Sequence, residues 1–400
     1  MPMKRYALWI LLLASSLADA DVATAPIGNR EEVLQPPYLL GSWTQMAQIY
    51  PARRVSRGGS VRELPAARRP MGPVQYDYSD KRFTLNDYMQ RNDVTSLLVI
   101  KEGAIVFETY RMGTSPTTAF TSWSMGKSLT STLLGIAIER GFIDSEKDLA
   151  RDYVPELDAS GYRDVTLRDL LQMSSGVKFV EDYTKPNSKE GQSWMLGVAE
   201  QRMPYNDTIL WFDEKLHPPG EAFYYASIET QVIGWVVRRA TGRPLADLLS
   251  EWIWQPMGAG NDASWLLDRP GGMEIASCCV NATTRDYARL GLLILENGRY
   301  NGKAIIPRQW IETATREDPA RPFLHRGNVG RESRFGYQHF WWLWPNGQAF
   351  TARGYGGQWL HVNPEENTVI VQTAIYSGDS EGDDWPETVA AFDAIVDAAR

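Results

Sequence analysis

The chain has 400 residues, 43% of them hydrophobic and 11% aromatic, so it can bury one large core or two interlocked ones, and a disordered polymer is excluded. With 41 basic residues against 49 acidic ones the formal charge is -8, which leaves no general electrostatic reason to bind nucleic acid or an anionic membrane and points to small or neutral partners. The cysteines, Cys278 and Cys279, are adjacent. Neighbouring side chains on an extended backbone point to opposite faces, so a disulfide between them is disfavoured and two small buried thiols are expected. There is no CxxC or HExxH, and His217, His325, His339 and His361 are scattered, so neither a metal nor a cofactor is expected.

In chain order, residues 1–20 carry Lys4 and Arg5, an apolar run from Tyr6 to Ala14 and the small-residue pattern around Ala18 and Ala20. That is the pattern of a secretory signal cleaved before Asp21, with a run too short to span a bilayer and no later membrane anchor, so a periplasmic or secreted product is expected. Residues 21–79 are rich in proline and arginine and read as an extended wrapping segment ahead of one catalytic-sized domain, 80–400. A short helix near Phe83–Arg91 and an apolar hairpin, SLLVIKEGAIVFETY, follow, with Glu102 and Gly103 at the turn. From about residue 122 to 300 the pattern is mostly helical: Gly141 and Gly242 are natural helix stops and Thr166 a natural cap. FGYQHFWWLW, QAFTAR, QWLHVN and NTVIVQTAIY are strand-like, and the segment from Trp385 onward is an amphipathic helix. Strands at both ends of a helical block predict an α+β fold, a mostly antiparallel sheet flanked by helices with an inserted, mostly helical subdomain. The helix after Ser122 then starts at the seam of the two parts, where clefts form.

At that seam stands SMGKS. A phosphate loop would need glycine at position 121, which is Thr121, and a nucleophile elbow would need glycine at 122, which is Ser122. A third reading pairs Ser124 with Lys127: residues three apart share a helix face, their β-carbons about 5–6 Å apart, so a lysine amine can reach a serine oxygen. A lysine at its ordinary pKa of about 10.4 is protonated at neutral pH, and apolar burial is what makes such an amine a base. The same spacing recurs in Ser175 and Lys178, but Gly176 lies between them after a helix end, so those side chains should diverge.

About 100 residues on, a turn built from two prolines and a glycine leads to Tyr225, Ala226 and Ser227 before another buried helix. A phenol placed there can pass a proton among serine, lysine and leaving group, or it can simply pack. Later still, Gly354, Gly356 and Gly357 open a strand where backbone can approach a ligand, and a backbone N–H there, with that of Ser124, can cradle an oxyanion.

SxxK, then Tyr225-x-Ser227, then a glycine-rich strand resembles the penicillin-recognising serine hydrolases with their SxxK, YxN and KTG-like motifs. The stretches LLQMSSGVKFVEDY, CCVNATTRDYARLGLLILENGRYNGKAIIP and GYGGQWLHVNP are similar to the class C beta-lactamase-like branch that includes 6-aminohexanoate-dimer hydrolase and related carboxylesterases. The resemblance implies the beta-lactamase/transpeptidase-like fold, a metal-independent acyl-enzyme mechanism with Ser124 as nucleophile, Lys127 as base and Tyr225 as proton shuttle, and oxyanion donors from the backbone of Ser124 and Tyr355. It also implies a small-molecule ester or amide as substrate, with Tyr183 as a pocket residue. Two departures bear on specificity: Ser227 stands where YxN has asparagine, and Ala352, Arg353 and Gly354 stand at the KTG-like positions, so Arg353 is the candidate for binding a substrate carboxylate and penicillinase activity is not expected. A D-aminopeptidase, a true beta-lactamase, and an idle module binding peptidoglycan fragments remain as alternatives.

Overall fold

The structure, a computed structural model, describes residues 21–183, 185, 187–329, 334–376 and 384–400; the export signal read at 1–20 lies outside them. Helix α1 (Leu39–Thr44) buries Leu39, Leu40 and Trp43, and the chain then runs through a strand, Ala52–Val55. A hairpin of Gln75–Tyr78 and Lys81–Thr84 leads into the helix Leu85–Arg91, whose first turn is closed by the Thr84 hydroxyl and the Asp87 carboxylate. Strands β1 (Val94–Lys101) and β2 (Ala104–Tyr110) form the expected hairpin. Glu102 and Gly103 both have positive φ, 51° and 78°, the turn geometry whose twist matches that of the strands.

A one-turn helix, Trp123–Met125, runs into α2 (Gly126–Glu139), which is buried from Gly126 to Ala137. It stops as the sequence predicts: Gly141 takes φ 72°, Phe142 N–H donates to Ala137 and Gly141 N–H to Ile138. Helix α3 (Leu167–Leu171) is capped by Thr166 and Asp169, and α4 (Ser227–Thr241) ends at Gly242, φ 68°. Helix α5 (Thr284–Leu295) starts on the Thr283 hydroxyl. The C-terminal part holds β3 (Gly336–Gln338), β4 (Trp341–Leu343), β5 (Phe350–Gly354), β6 (Gln358–Asn363), β7 (Thr368–Ala374) and α6 (Asp384–Ala398).

These strands and the first hairpin make one seven-stranded sheet in the order β3-β4-β5-β6-β7-β1-β2, antiparallel throughout. The N-terminal hairpin therefore docks on the last C-terminal strand, and β1, flanked on both edges, is buried from Val94 to Ile100. On β6, Leu360 faces α5, whose Gly291 leaves no room for a side chain beside it, while Trp359 and His361 face Phe392 of α6. No helix among the described residues is long and apolar enough to cross a membrane.

Three expectations change. The block from 122 to 300, expected to be mostly helical, also contributes strands: Ala263–Leu266 and Val280–Thr283 pair within a second antiparallel sheet, completed by Ala52–Val55 and Ala119–Thr121. One strand of that sheet comes from the N-terminal segment, which is thus woven into the domain and carries helices of its own. FGYQHFWWLW is two strands, because His339 and Phe340 take φ of 44° and 66° and turn the chain. Finally, Cys278 and Cys279 are buried as expected but are bonded to each other, with Cys279 at φ 73°, so the backbone there is not the extended one the expectation assumed.

Candidate active site

The second sheet delivers the turn that carries Ser124. Ala119–Thr121 pairs with Val280–Thr283, and at its end Ser122 is fastened to the same strand: its N–H donates to Val280 at 2.7 Å and its hydroxyl accepts from the N–H groups of Cys279 and Val280, each at 3.1 Å. Ser122, noted in the sequence only for not being glycine, is what anchors the turn. Trp123 then adopts φ 44°, a left-handed conformation unfavourable for a bulky residue, and Ser124 follows at the mouth of α2. Such strain at the residue before a candidate nucleophile is characteristic of sites where surrounding structure dictates the backbone.

Lys127, in the first turn of α2, is 2% exposed. Its Nζ donates to Ser124 Oγ at 2.9 Å and to the Ser277 carbonyl at 2.9 Å, and lies 5.1 Å from the centre of the Tyr225 ring. The burial expected from the helix pattern is thus combined with a directed polar cradle. Ser277 was not legible as a site residue: it contributes a backbone carbonyl, which any residue type supplies. The Tyr225 ring is half-buried, stacks on Trp342 at 5.8 Å and faces the Lys127 amine, so the residue both packs and borders the Ser124–Lys127 pair.

The glycine-rich strand closes the other side. Strand β4 pairs with β5 only through Thr351 and Phe350, so the outer edge of β5 beyond Thr351 is left to meet the turn that carries Ser124. The approach is close: a Cβ on Gly354 would fall 2.2 Å from the Ser122 carbonyl oxygen and 3.1 Å from Trp123 Cβ. The Gly354–Tyr355 peptide thereby runs alongside the residues that carry Ser124. Behind it the buried Gln358 side chain donates to the carbonyls of Tyr355, Gly356 and Ala374 at 3.2, 3.2 and 2.6 Å, fixing how the turn's peptides are rotated. Gln358 was missed in the sequence, where a glutamine on an apolar strand carried no distinguishing pattern.

The remaining sequence candidates gather at two places. Tyr183 and Ser227 meet on Glu181, which the sequence reading did not single out: its carboxylate accepts from the Tyr183 hydroxyl at 3.1 Å, from Ser227 N–H at 2.8 Å and from the Ser227 hydroxyl. Glu181 therefore serves the first turn of α4, whose N-cap residue Ala226 has no side-chain acceptor, and where a negative charge is favourable. Burial, with the Glu181 charge adding to it, holds the Tyr183 phenol well above its ordinary pKa. The alternation in VEDY, two residues from Glu181 to Tyr183, was the available signal. Arg353, by contrast, lies with its guanidinium 3.2 Å above the Trp385 ring and 5.4 Å from that of Trp359. Trp385 also packs on Trp342 at 5.0 Å, so a ladder of rings joins Arg353 to Tyr225.

The histidines have other engagements. His339 pairs with Glu146 at 2.8 Å, His325 with the Asp318 carbonyl, and His361 is buried beside Trp344 and Phe392, which depresses its pKa to about 3. Among the described residues no group of three or more His, Cys, Asp or Glu is placed to hold a metal ion.

Comparison with known proteins gives the family. The chain is 28% identical over 345 residues to the 6-aminohexanoate-dimer hydrolase of Paenarthrobacter ureafaciens, covering 84% of this chain and 86% of the other. A structure assigned as a 6-aminohexanoate-dimer hydrolase from Bacillus anthracis superposes with a TM-score of 0.80 at 25% identity, covering 93% of this chain and 96% of that one. A family VIII carboxylesterase shares the fold, with a TM-score of 0.56, 21% identity and coverage of 76% and 91%. The beta-lactamase family model matches residues 84–390, the span that holds Ser124, Lys127, Tyr225 and the Gly354–Tyr355 strand end, and the protein is a member of the beta-lactamase family.

Proposed function

We propose that the protein is a serine hydrolase that cleaves an ester or amide bond through an acyl-enzyme on Ser124, in the manner of the 6-aminohexanoate-dimer hydrolase-like and carboxylesterase-like members of its family. The observation that carries this reading is the 2.9 Å contact of a buried lysine amine with the Ser124 hydroxyl. In the attacking state the Lys127 amine, unprotonated, takes the Ser124 proton as Oγ bonds to the substrate carbonyl carbon. The oxyanion that forms is received by the N–H groups of Ser124 and Tyr355. Tyr225, its ring over the amine, relays the proton to the departing alcohol or amine as the C–O or C–N bond breaks, and water then repeats the sequence to release the acid.

Tyr183, Ser227, Arg353 and Gly354 are assigned to the substrate side of the cleft. A beta-lactam is disfavoured as substrate because the KTG-like lysine has no counterpart and Arg353 is engaged on the ring of Trp385. Export to the periplasm or medium belongs to the same proposal and rests on the N-terminal signal pattern.

The test is intact-protein mass spectrometry after exposure to a fluorophosphonate, comparing wild type with Ser124→Ala and Ser175→Ala. One adduct lost only in Ser124→Ala is expected; no adduct on folded wild type would move the assignment to an idle binding module. Turnover of p-nitrophenyl esters and linear amides against nitrocefin then sets the substrate class, with the first two expected to be faster.

A further inference from the structure

The family match begins at residue 84, yet the catalytic turn is not built from that span alone. Trp43, on α1 of the N-terminal segment, has no exposed surface, and its ring lies 5.3 Å from that of Trp123, edge to face, and 5.9 Å from that of Tyr355. Trp123 and Tyr355 in turn are 5.9 Å apart, so the three rings enclose one another. Trp43 also occupies the space beside Gly356: a Cβ there would fall 2.3 Å from its Cη2 and Cζ3 atoms. Its own position is fixed by Nε1–H donating to the Val33 carbonyl at 2.8 Å.

These neighbours are not arbitrary. Trp123 precedes Ser124 and holds a left-handed backbone, while Tyr355 precedes two left-handed glycines, Gly356 and Gly357, at φ 70° and 90°. Each segment supplies one of the two N–H groups assigned to the oxyanion; the first holds a strained backbone at Trp123, and the second runs through glycines free to take other conformations. Trp43 is packed against both.

We propose that Trp43 is a positioning residue for acyl transfer, an element outside the family domain that clamps the Trp123–Ser124 and Tyr355–Gly356 segments in register so that their N–H groups converge on one oxygen. This rests on the Ser124 acyl-enzyme reading. Removing the indole leaves a cavity beside the two segments that carry the donors, and because oxyanion donors act on the tetrahedral state more than on bound substrate, the loss falls on kcat and not on KM.

Phenylboronic acid is the probe: its trigonal boron accepts a bond from Ser124 Oγ, the serine proton passing to the base, and the adduct imitates the tetrahedral intermediate. In the full chain, Trp43→Leu is expected to raise its Ki and lower kcat for a p-nitrophenyl ester by roughly tenfold, with KM within about twofold. Trp43→Phe, which keeps a ring, should recover most of the loss. Leu39→Ala removes packing from the same cluster without a ring beside the turn; it should lower the melting temperature and leave Ki unchanged. If Trp43→Leu does not fold, Trp43→Phe decides, with Ki raised about threefold and KM unchanged expected. Wild-type Ki in folded Trp43 variants, parallel changes in Ki and KM, or the same Ki change in Leu39→Ala would each overturn the inference. Wild type that does not bind the boronic acid, or binds it equally well as Ser124→Ala, takes down the serine reading itself.

Discussion

Two stretches of this chain share the spacing Ser-x-x-Lys, and they end in opposite chemistry. At Ser124 and Lys127 the helix continues, the side chains stay on one face, and the amine meets the hydroxyl at 2.9 Å. At Ser175 and Lys178 the helix has already stopped at Leu171, and Gly176 takes φ 74° with the His217 carbonyl where a Cβ would stand. The Ser175 hydroxyl turns inward and donates to Glu229 at 2.6 Å, whereas Lys178 turns outward to Glu214. Ser175 is fully buried and its hydroxyl finds a partner, as buried hydroxyls must, whereas Ser124 is half-buried beside the amine. A hydroxyl beside an unprotonated lysine amine is offered a base for its proton; one donating to a carboxyl whose protonated form burial favours is offered a poorer one. The spacing is therefore a statement about chemistry only where the backbone between the two residues remains helical.

The largest effects should separate the two copies completely. Ser124→Ala and Lys127→Met are each expected to lower ester hydrolysis by at least about a thousandfold. Lys178→Met should leave the rate as it is. Steady-state rates on a p-nitrophenyl ester decide, and a slow Lys178→Met enzyme would break the comparison. Ser175→Ala sits between these extremes: it strips a buried carboxyl of its donor, so a loss of about 1–3 kcal/mol in urea unfolding is expected, with the fluorophosphonate adduct on Ser124 intact.

How much of this was legible follows the same division. Local signals read correctly: the Glu102–Gly103 turn, the Thr166 cap and the stops at Gly141 and Gly242 each depend on a few neighbouring residues and a backbone conformation those residues favour. Ser124, Lys127 and Tyr225 were visible because side-chain chemistry at a helix start is visible, and the structure brings them together. What escaped was contributed by backbone or by distant pairing. Ser277 acts through a carbonyl, Gln358 through two carbonyls of a turn and one at the end of β7, and Glu181 through a helix start 46 residues away. The strands Ala263–Leu266 and Val280–Thr283 escaped because they are short, buried and paired with segments far from them in the chain, and the Cys278–Cys279 bond because Cys279 leaves the extended backbone.

Glu229 sharpens the comparison through pH. Burial, reinforced by the charges of Asp169 and Glu181 and opposed by the Ser175 hydrogen bond, raises its pKa well above the ordinary 4.5. The folded protein then keeps a proton that the unfolded chain releases once pH exceeds about 4.5, so wild-type stability from this group declines as pH rises toward the folded value. His361, depressed to about 3, works in the opposite direction between about 3 and 6.5 and contributes nothing further above that. Glu229→Gln should consequently gain on wild type as pH rises from about 4.5 toward the raised folded pKa of Glu229, measured as the difference in urea unfolding free energy so that His361 and other groups cancel. A difference that does not vary with pH would mean that Glu229 is charged in the folded protein.

The smallest effect belongs to the outer half of the second copy. Lys178 and Glu214 touch at 3.0 Å, but their side chains are 48% and 60% exposed. An ion pair in that setting is screened by water and salt and must hold two long side chains still, which brings its value to less than about 1 kcal/mol. The backbone beside it does not depend on the pair, since Lys178 N–H donates to the Glu214 carbonyl and Leu216 N–H to Gly176. Lys178→Ala should accordingly change urea stability by under about 0.5 kcal/mol, the difference shrinking further in high salt. A larger loss that persists in high salt would show that the lysine stem, and not its charge, is what this copy of the spacing preserves.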